Sequence, residues 1–226
     1  MVEVQKDWWK VRKHGKWRAF RNLPVFWAHQ RTSYMDRSEL IFHSVLYLLA
    51  FGLIYLLLAL LVAEARVSLR LVFALLAART LSFVFNDTFW TCLTINGLAT
   101  NGGLPRTCGF LERCEKRVAG RKSVSACAVY GSMSRGQFHS HSDVDVRYIR
   151  RSGFANALSA TAFASQERLL ALIHRIPLDS FVGDSVGFLD KMRDDEIPIV
   201  LKDADGLLER RYGRPILLSS VSRIAR

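Results

Sequence analysis

The longest apolar run of the chain extends from Leu40 to Ala63, with His43 and Ser44 as polar members near its start. Wound as a helix, it would reach about 36 Å, enough to cross a hydrocarbon core of about 30 Å. A transmembrane helix is the expectation. After the polar break Glu64-Ala65-Arg66, a second apolar stretch runs from Val67 to about Phe85, or to Ile95 if Asn86 and Asp87 are tolerated. Arg70 and Arg79 lie inside it, so hydropathy leaves open both a full crossing and an interfacial helix. From Asn96 to Arg106 turn formers accumulate and read as a linker.

Beyond the linker the apolar spacing changes. Cys108 to Ala119 repeats as a helix does, with Phe110, Leu111, Cys114 and Val118 on one side and Glu112, Arg113, Glu115, Lys116 and Arg117 mostly on the other. Val124 to Tyr130 is nearly continuous apolar sequence and reads as a buried strand. Asp143 to Ile149 alternates instead, so Asp143, Asp145 and Arg147 share one face and Val144, Val146 and Tyr148 the other. Ala157 to Ile173 predicts another helix and Ile176 to Val182 another strand. Val186 to Arg193 suggests a short helix. The acidic turn Asp194-Asp195-Glu196 follows, then a β-rich run to Leu201 and a short strand-helix pair from Asp203 to Tyr212. Asp203 and Asp205 precede Gly206 and are expected to cap that last helix. The tail, Gly213 to Arg226, is basic and expected to be loosely ordered.

Charge sharpens the division. The net charge is +12, yet residues 131–226 carry fourteen Lys/Arg against twelve Asp/Glu, while residues 1–39 and 64–130 each carry nine against four. The basic excess therefore flanks the apolar runs. In residues 6–37, cations alternate with Trp8, Trp9, Trp17 and Trp27, a mixture suited to a headgroup zone, where indoles sit at the interface and cations meet anionic lipid. Membrane lipid is the expected partner, and nucleic acid ranks lowest. Cys92, Cys108, Cys114 and Cys127 show neither a CxxC pair nor metal-ligand spacing, so reduced, partly buried thiols are expected.

The chemistry concentrates between Tyr130 and Val146. Gly131-Ser132 leads through a ten-residue spacer to Asp143-Val144-Asp145. Two carboxylates about 7 Å apart on one strand face repel unless a cation lies between them, and Mg²⁺ is commonly held by one or two carboxylates plus substrate phosphates. Glycine lets the backbone approach a phosphate closely, and a serine hydroxyl adds a donor. His139 and His141 in the spacer invite a zinc reading, but further convergent ligands are wanting.

These residues resemble the minimal nucleotidyltransferase domain of the DNA polymerase β superfamily, whose signature is Gly-Ser, a spacer and Asp-x-Asp. Gly131, Ser132, Asp143 and Asp145 fall on it, Ser134-Arg135-Gly136 and Ser142 match the family's habits, and the similarity covers roughly residues 105–212. The resemblance implies an α+β fold, a small mixed sheet flanked by helices, here behind a transmembrane helical hairpin. It implies Mg²⁺ or Mn²⁺ on Asp143 and Asp145, with Asp179 as third carboxylate and Asp184 as its competitor. Gly131, Ser132, Ser134, Arg135 and Arg147 would contact the phosphates of an NTP, ATP or CTP being the first candidates. The expected organisation is a basic, aromatic juxtamembrane segment (1–39), the hairpin (40–95), the linker (96–106), the nucleotidyltransferase domain (107–212) and the basic tail (213–226).

An enzyme using cytosolic NTP must face the cytoplasm, and the basic N-terminus prefers the same side. Both ends share a side only if the chain crosses an even number of times, which favours a multi-pass hairpin in the cell membrane. Arg79 inside an apolar helix is costly unless paired or snorkelling. Either it meets a lipid phosphate or diphosphate, with Asp87 as a further headgroup candidate, or it pairs with Asp87 or with a neighbouring subunit and fixes packing. The expected activity is transfer of a nucleoside monophosphate to a membrane acceptor: a lipid phosphate, a lipid-linked glycan or another headgroup. Nucleotidylation of a protein by a toxin-antitoxin or defence component, and a non-catalytic nucleotide-binding subunit, are the alternatives. A second copy of the chain, joined through the hairpin, is a further candidate partner.

Overall fold

A computed structural model of the protein describes residues 16–30, 32–62, 64–86, 88–193 and 196–224. The tryptophans and cations of residues 6–13, and Asp87, lie outside the described residues. Four helices come first: α1 (Lys16–His29), α2 (Arg37–Leu61), α3 (Val67–Phe85) and α4 (Thr88–Ile95). Asp36 starts α2, accepting a hydrogen bond from Glu39 N at 2.9 Å. The chain turns back at residues 64–66, as the polar break implied, and α3 continues unbroken past both Arg70 and Arg79.

The two long helices pack along one another, with Ala74 and Ala78 wholly buried on α3. Their outer faces are bare: Leu49, Leu53 and Leu60 of α2 and Phe73 of α3 are at least 60% exposed. Both are long and apolar enough to cross a membrane, and none of the apolar stretch of α2 and 17% of that of α3 is buried. At the base of the hairpin, Phe26, Phe83 and Cys92 join α1, α3 and α4 in a small apolar cluster.

The remainder is α+β. After α5 (Leu104–Ala119) come β1 (Val124–Tyr130), β2 (Val144–Arg150), α6 (Phe154–Ile173), β3 (Leu178–Gly183), a 3-10 turn at Val186–Lys191, β4 (Ile199–Asp203), α7 (Leu207–Tyr212), β5 (Ile216–Leu217) and α8 (Leu218–Ile224). The five strands form one mixed sheet in the order β3-β2-β1-β4-β5. β1 is antiparallel to β2 and β4, whereas β2/β3 and β4/β5 are parallel. On one face, Cys127, Val129, Val144, Val146 and Tyr148 meet Phe110, Leu111 and Phe163 of α5 and α6. On the other, Ala126, Ala128, Tyr130, Ile149 and Phe181 form a second, smaller cluster. The alternation read in Asp143–Ile149 is thereby realised: Val144, Val146 and Tyr148 are fully buried in the larger core, and Asp145 and Arg147 lie opposite them.

Several boundaries differ from the sequence expectation, α6 beginning at Phe154 rather than Ala157 among them. Helix α5 begins at Leu104 rather than Cys108, because Gly103 turns the chain with φ +87° and Pro105 suits the first helical turn. The tail is ordered to Ile224 rather than loose. Ile216 pairs with Ile199 as an added strand, and Leu218, 1% exposed, enters the main core. Apolar residues at Ile216, Leu218 and Val221 outweigh the basic composition that suggested disorder. Asp203 caps α7 as expected, accepting from the backbone of Leu207, Leu208 and Glu209 at 2.7–3.0 Å, while Asp205 instead pairs with Arg151 at 2.9 Å.

Candidate metal and phosphate site

β2 and β3 run parallel in a register that sets Asp145 directly beside Asp179. Asp143 immediately precedes β2, and one carboxylate oxygen from each of the three lies within 4.8 Å of the others. All are partly buried, and the set consists of hard oxygen donors, which suits Mg²⁺ or Mn²⁺ rather than a soft metal. Asp184, the competitor for the third position, lies past the end of β3 and is exposed. Burial, and then the neighbouring Asp143 carboxylate, hold Asp145 well above the usual carboxylate range. A cation between the carboxylates would relieve both causes.

Arg147 is turned inward to the same cluster. Its guanidinium donates to Asp145 Oδ1 at 3.1 Å, Asp179 Oδ2 at 3.4 Å and the Asp179 carbonyl at 2.7 Å, and lies 5.0 Å from the Phe181 ring centre. With its side chain 8% exposed, it braces the two strands from within; sequence alone had offered it as a phosphate contact.

Gly131 follows β1 in a left-handed conformation, φ +76°. A β-carbon there would fall 2.1 Å from Asp145 Oδ2, so only glycine allows the turn to pass this close to the acidic cluster. The loop then folds back on itself: Gln137 N donates to the Ser132 carbonyl at 2.8 Å, and Ser134 Oγ to the Gly131 carbonyl at 3.0 Å. Ser134 therefore shapes the loop. Ser132 Oγ is buried with no hydrogen-bond partner among the described residues. Arg135 is ion-paired to Glu196, whose other carboxylate oxygen lies 3.4 Å from Gly131 N.

The spacer is clasped by the linker. Asn101, wholly buried, donates to the carbonyls of His139 and Ser142 at 2.7 and 2.8 Å, and its N–H to the Ser140 carbonyl at 3.0 Å. His141 Nδ1 lies 2.9 Å from the Ala99 carbonyl and His139 Nδ1 accepts from His141 N at 3.1 Å. The two histidines are thus tied into loop contacts on the segment that delivers Asp143.

The base of the hairpin grips the opposite edge. Glu39, wholly buried in the first turn of α2, accepts from Val182 N of edge strand β3 at 3.0 Å and is ion-paired to Arg168 of α6. Arg168 also donates to Ser180 Oγ at 3.1 Å and lies 2.7 Å from His43 Nε2. Ser180 adjoins Asp179, so one buried cluster joins α2, α6 and the strand carrying the third carboxylate. Arg79 donates to the carbonyl of Ala28 in the last turn of α1, where the helix end favours a cation.

Glu196, Glu39, Arg168 and Asn101 were not singled out by pattern. Glu39 and Arg168 did leave a signal, as charges set in predominantly apolar helices. Glu196 was hidden in an acidic turn, and Asn101 in a linker whose composition signals only turns. The four cysteines are free as expected and buried more fully than expected, and burial pushes the Cys114 and Cys127 thiols up, which keeps them protonated and unreactive.

Fold and site together define an α+β protein with a mixed five-stranded sheet and an acidic triad at one end of β2 and β3. No known protein family, no curated protein and no solved structure matches the chain.

Proposed function

We propose that the protein is a Mg²⁺-dependent nucleotidyltransferase, anchored in a membrane by the α2/α3 hairpin, that moves a nucleoside monophosphate from an NTP to a membrane-borne acceptor. The observation that carries this reading is the convergence of Asp143, Asp145 and Asp179 beside the left-handed turn at Gly131. Carboxylates spaced for a cation, next to backbone and hydroxyl donors spaced for an anion, suit a metal-bound polyphosphate better than either group alone.

Asp143 and Asp145 would hold the metal, which neutralises charge developing on the leaving pyrophosphate. The Gly131 N–H, Ser132 Oγ and Arg135 would receive phosphate oxygens. Asp179 would orient the acceptor hydroxyl or phosphate and take its proton as the acceptor oxygen bonds to the α-phosphorus. The bond from that phosphorus to the β-phosphate oxygen breaks, and pyrophosphate leaves. Arg147 holds Asp145 and Asp179 in place while their charges are partly compensated.

The membrane assignment is supported by two helices whose apolar outer faces have no protein cover among the described residues. The first turn of α2 meets β3 through Glu39, and α3 packs on α6 and on α4, which itself contacts β3, so an acceptor held in the bilayer surface would lie close to Asp179.

Incubating detergent-purified protein with Mg²⁺, each of the four α-³²P-labelled NTPs and a membrane extract tests the proposal. Label in the lipid fraction that disappears with Asp143→Asn is the expected result. Equal labelling by the variant would remove Asp143 from the metal site, and label confined to protein would replace the lipid acceptor by a polypeptide.

A further inference from the structure

The phosphate cradle already holds an anion. Glu196, on the segment leading into β4, places one carboxylate oxygen on the Arg135 guanidinium and the other 3.4 Å from Gly131 N. Its side chain is 5% exposed, so both contacts are made away from bulk water. Carboxylate and phosphate oxygens accept from the same donors with similar geometry. One donor of the cradle is left over: Ser132 Oγ is buried and has no partner among the described residues. A buried hydroxyl without a partner is costly, and its cost disappears when a further oxygen arrives.

We propose that Glu196 is an internal competitor for the phosphate cradle, displaced when a polyphosphate binds. This rests on the reading of Gly131, Ser132 and Arg135 as the phosphate site. The exchange keeps Arg135 paired, since a phosphate oxygen takes over from the carboxylate. It also satisfies Ser132 Oγ, which Glu196 leaves unpaired. Glu196 cannot stay, because its charge would face that of the incoming phosphates across the same donors. Affinity for the ligand is then lowered by the fraction of molecules whose cradle is closed. A polyanion that reaches all three donors has an advantage over a single phosphate that replaces the carboxylate one for one.

A purely supportive role makes the opposite prediction. If Glu196 served only to orient Arg135, removing it would free the guanidinium and weaken binding.

The test is titration of the full-length, detergent-purified protein with inorganic tripolyphosphate and Mg²⁺ by calorimetry, for wild type, Glu196→Ala and Glu196→Gln. If a tenth or less of the wild-type protein is open, Glu196→Ala binds about tenfold tighter or more. Glu196→Gln, which keeps the shape and loses the charge, shifts the same way by less and covers the case in which the alanine variant does not fold. Unchanged or weaker binding by both variants overturns the proposal. The labelled-NTP assay separates this outcome from the wider reading. Tighter tripolyphosphate binding with no transfer to any acceptor leaves the competitor standing and removes the transferase. Transfer by wild type with no gain in the variants does the reverse.

Discussion

The hairpin and the sheet are both built from apolar runs, yet they treat those runs in opposite ways. All seven residues of β1 are buried, whereas the apolar stretch of the 25-residue α2 is not buried at all. Apolarity therefore does not itself place a segment inside a protein. β1 runs between two neighbouring strands, with side chains of α5 and α6 over one face and a second cluster over the other. α2 has α3 along one side and, among the described residues, no protein cover on its outer face. The sheet supplies its own cover, and the hairpin requires a solvent that supplies it, for which a bilayer is the candidate.

The two regions meet at Glu39, and the largest expected effect lies there. Glu39→Ala leaves Arg168 buried without its carboxylate and removes the acceptor of Val182 N. The loss should be about 3–5 kcal/mol, the range for breaking a buried ion pair from one side. Denaturant unfolding in detergent micelles measures it. A loss well under 1 kcal/mol would mean that hairpin and sheet are mechanically independent.

Leu53→Arg probes the hairpin alone. This side chain is 60% exposed in the middle of α2, away from the Glu39 junction with β3, so sheet stability should not change. Within a bilayer the substitution costs about 2.5–3.5 kcal/mol of insertion at mid-helix. Carbonate extraction of expressed protein should show a shift from the membrane to the soluble fraction. No shift would remove the membrane assignment of α2.

The third prediction concerns the sheet alone and follows from the raised pKa of Asp145. In metal-free protein the native state retains a proton on Asp145 that the unfolded chain has released, so this group's stabilising contribution is complete below the unfolded pKa. It is lost as pH rises through the folded pKa. Unfolding curves in EDTA should thus fall with rising pH over that window, by no more than one proton's slope. Excess Mg²⁺ should cancel or reverse the slope, since the ionised carboxylate is the ligand. Asp145→Asn should abolish it. An Mg²⁺-insensitive slope would dissociate the triad from metal binding.

Smallest is Asp203→Ala, which deletes the cap of α7 and should cost about 1 kcal/mol. It lies away from both the hairpin and the triad, and the proposed nucleotide transfer should be unaffected at moderate temperature.

Much of this organisation was legible in the chain. Continuous apolar runs marked α2, α3 and β1, and local periodicity marked α5, β2 and α6, where apolar positions recur at a fixed spacing. The Gly131-Ser132 and Asp143-x-Asp145 spacing pointed to the two halves of the site. Asp179 was placed by the resemblance, and the tertiary structure supplies the reason for its position, the parallel register that sets it beside Asp145. Its neighbour Arg147 illustrates the limit. On the strand pattern it shares a face with the carboxylates, but only the packing of β2 on β3 turns its guanidinium to brace them.

The sequence by itself determined most of the helices and strands from α2 to α7 and where the two hairpin arms turn, since those depend on neighbours a few residues away, whereas α1, α4 as a separate helix, β5 and α8 were not legible in it. Tertiary structure decided the rest: the ordered tail added to β4, the clasp of Asn101 on the spacer, the Glu39–Arg168 junction and the carboxylate of Glu196 in the cradle. Each joins groups far apart in the chain, and no local period encodes a contact whose partner is fixed only when the sheet closes.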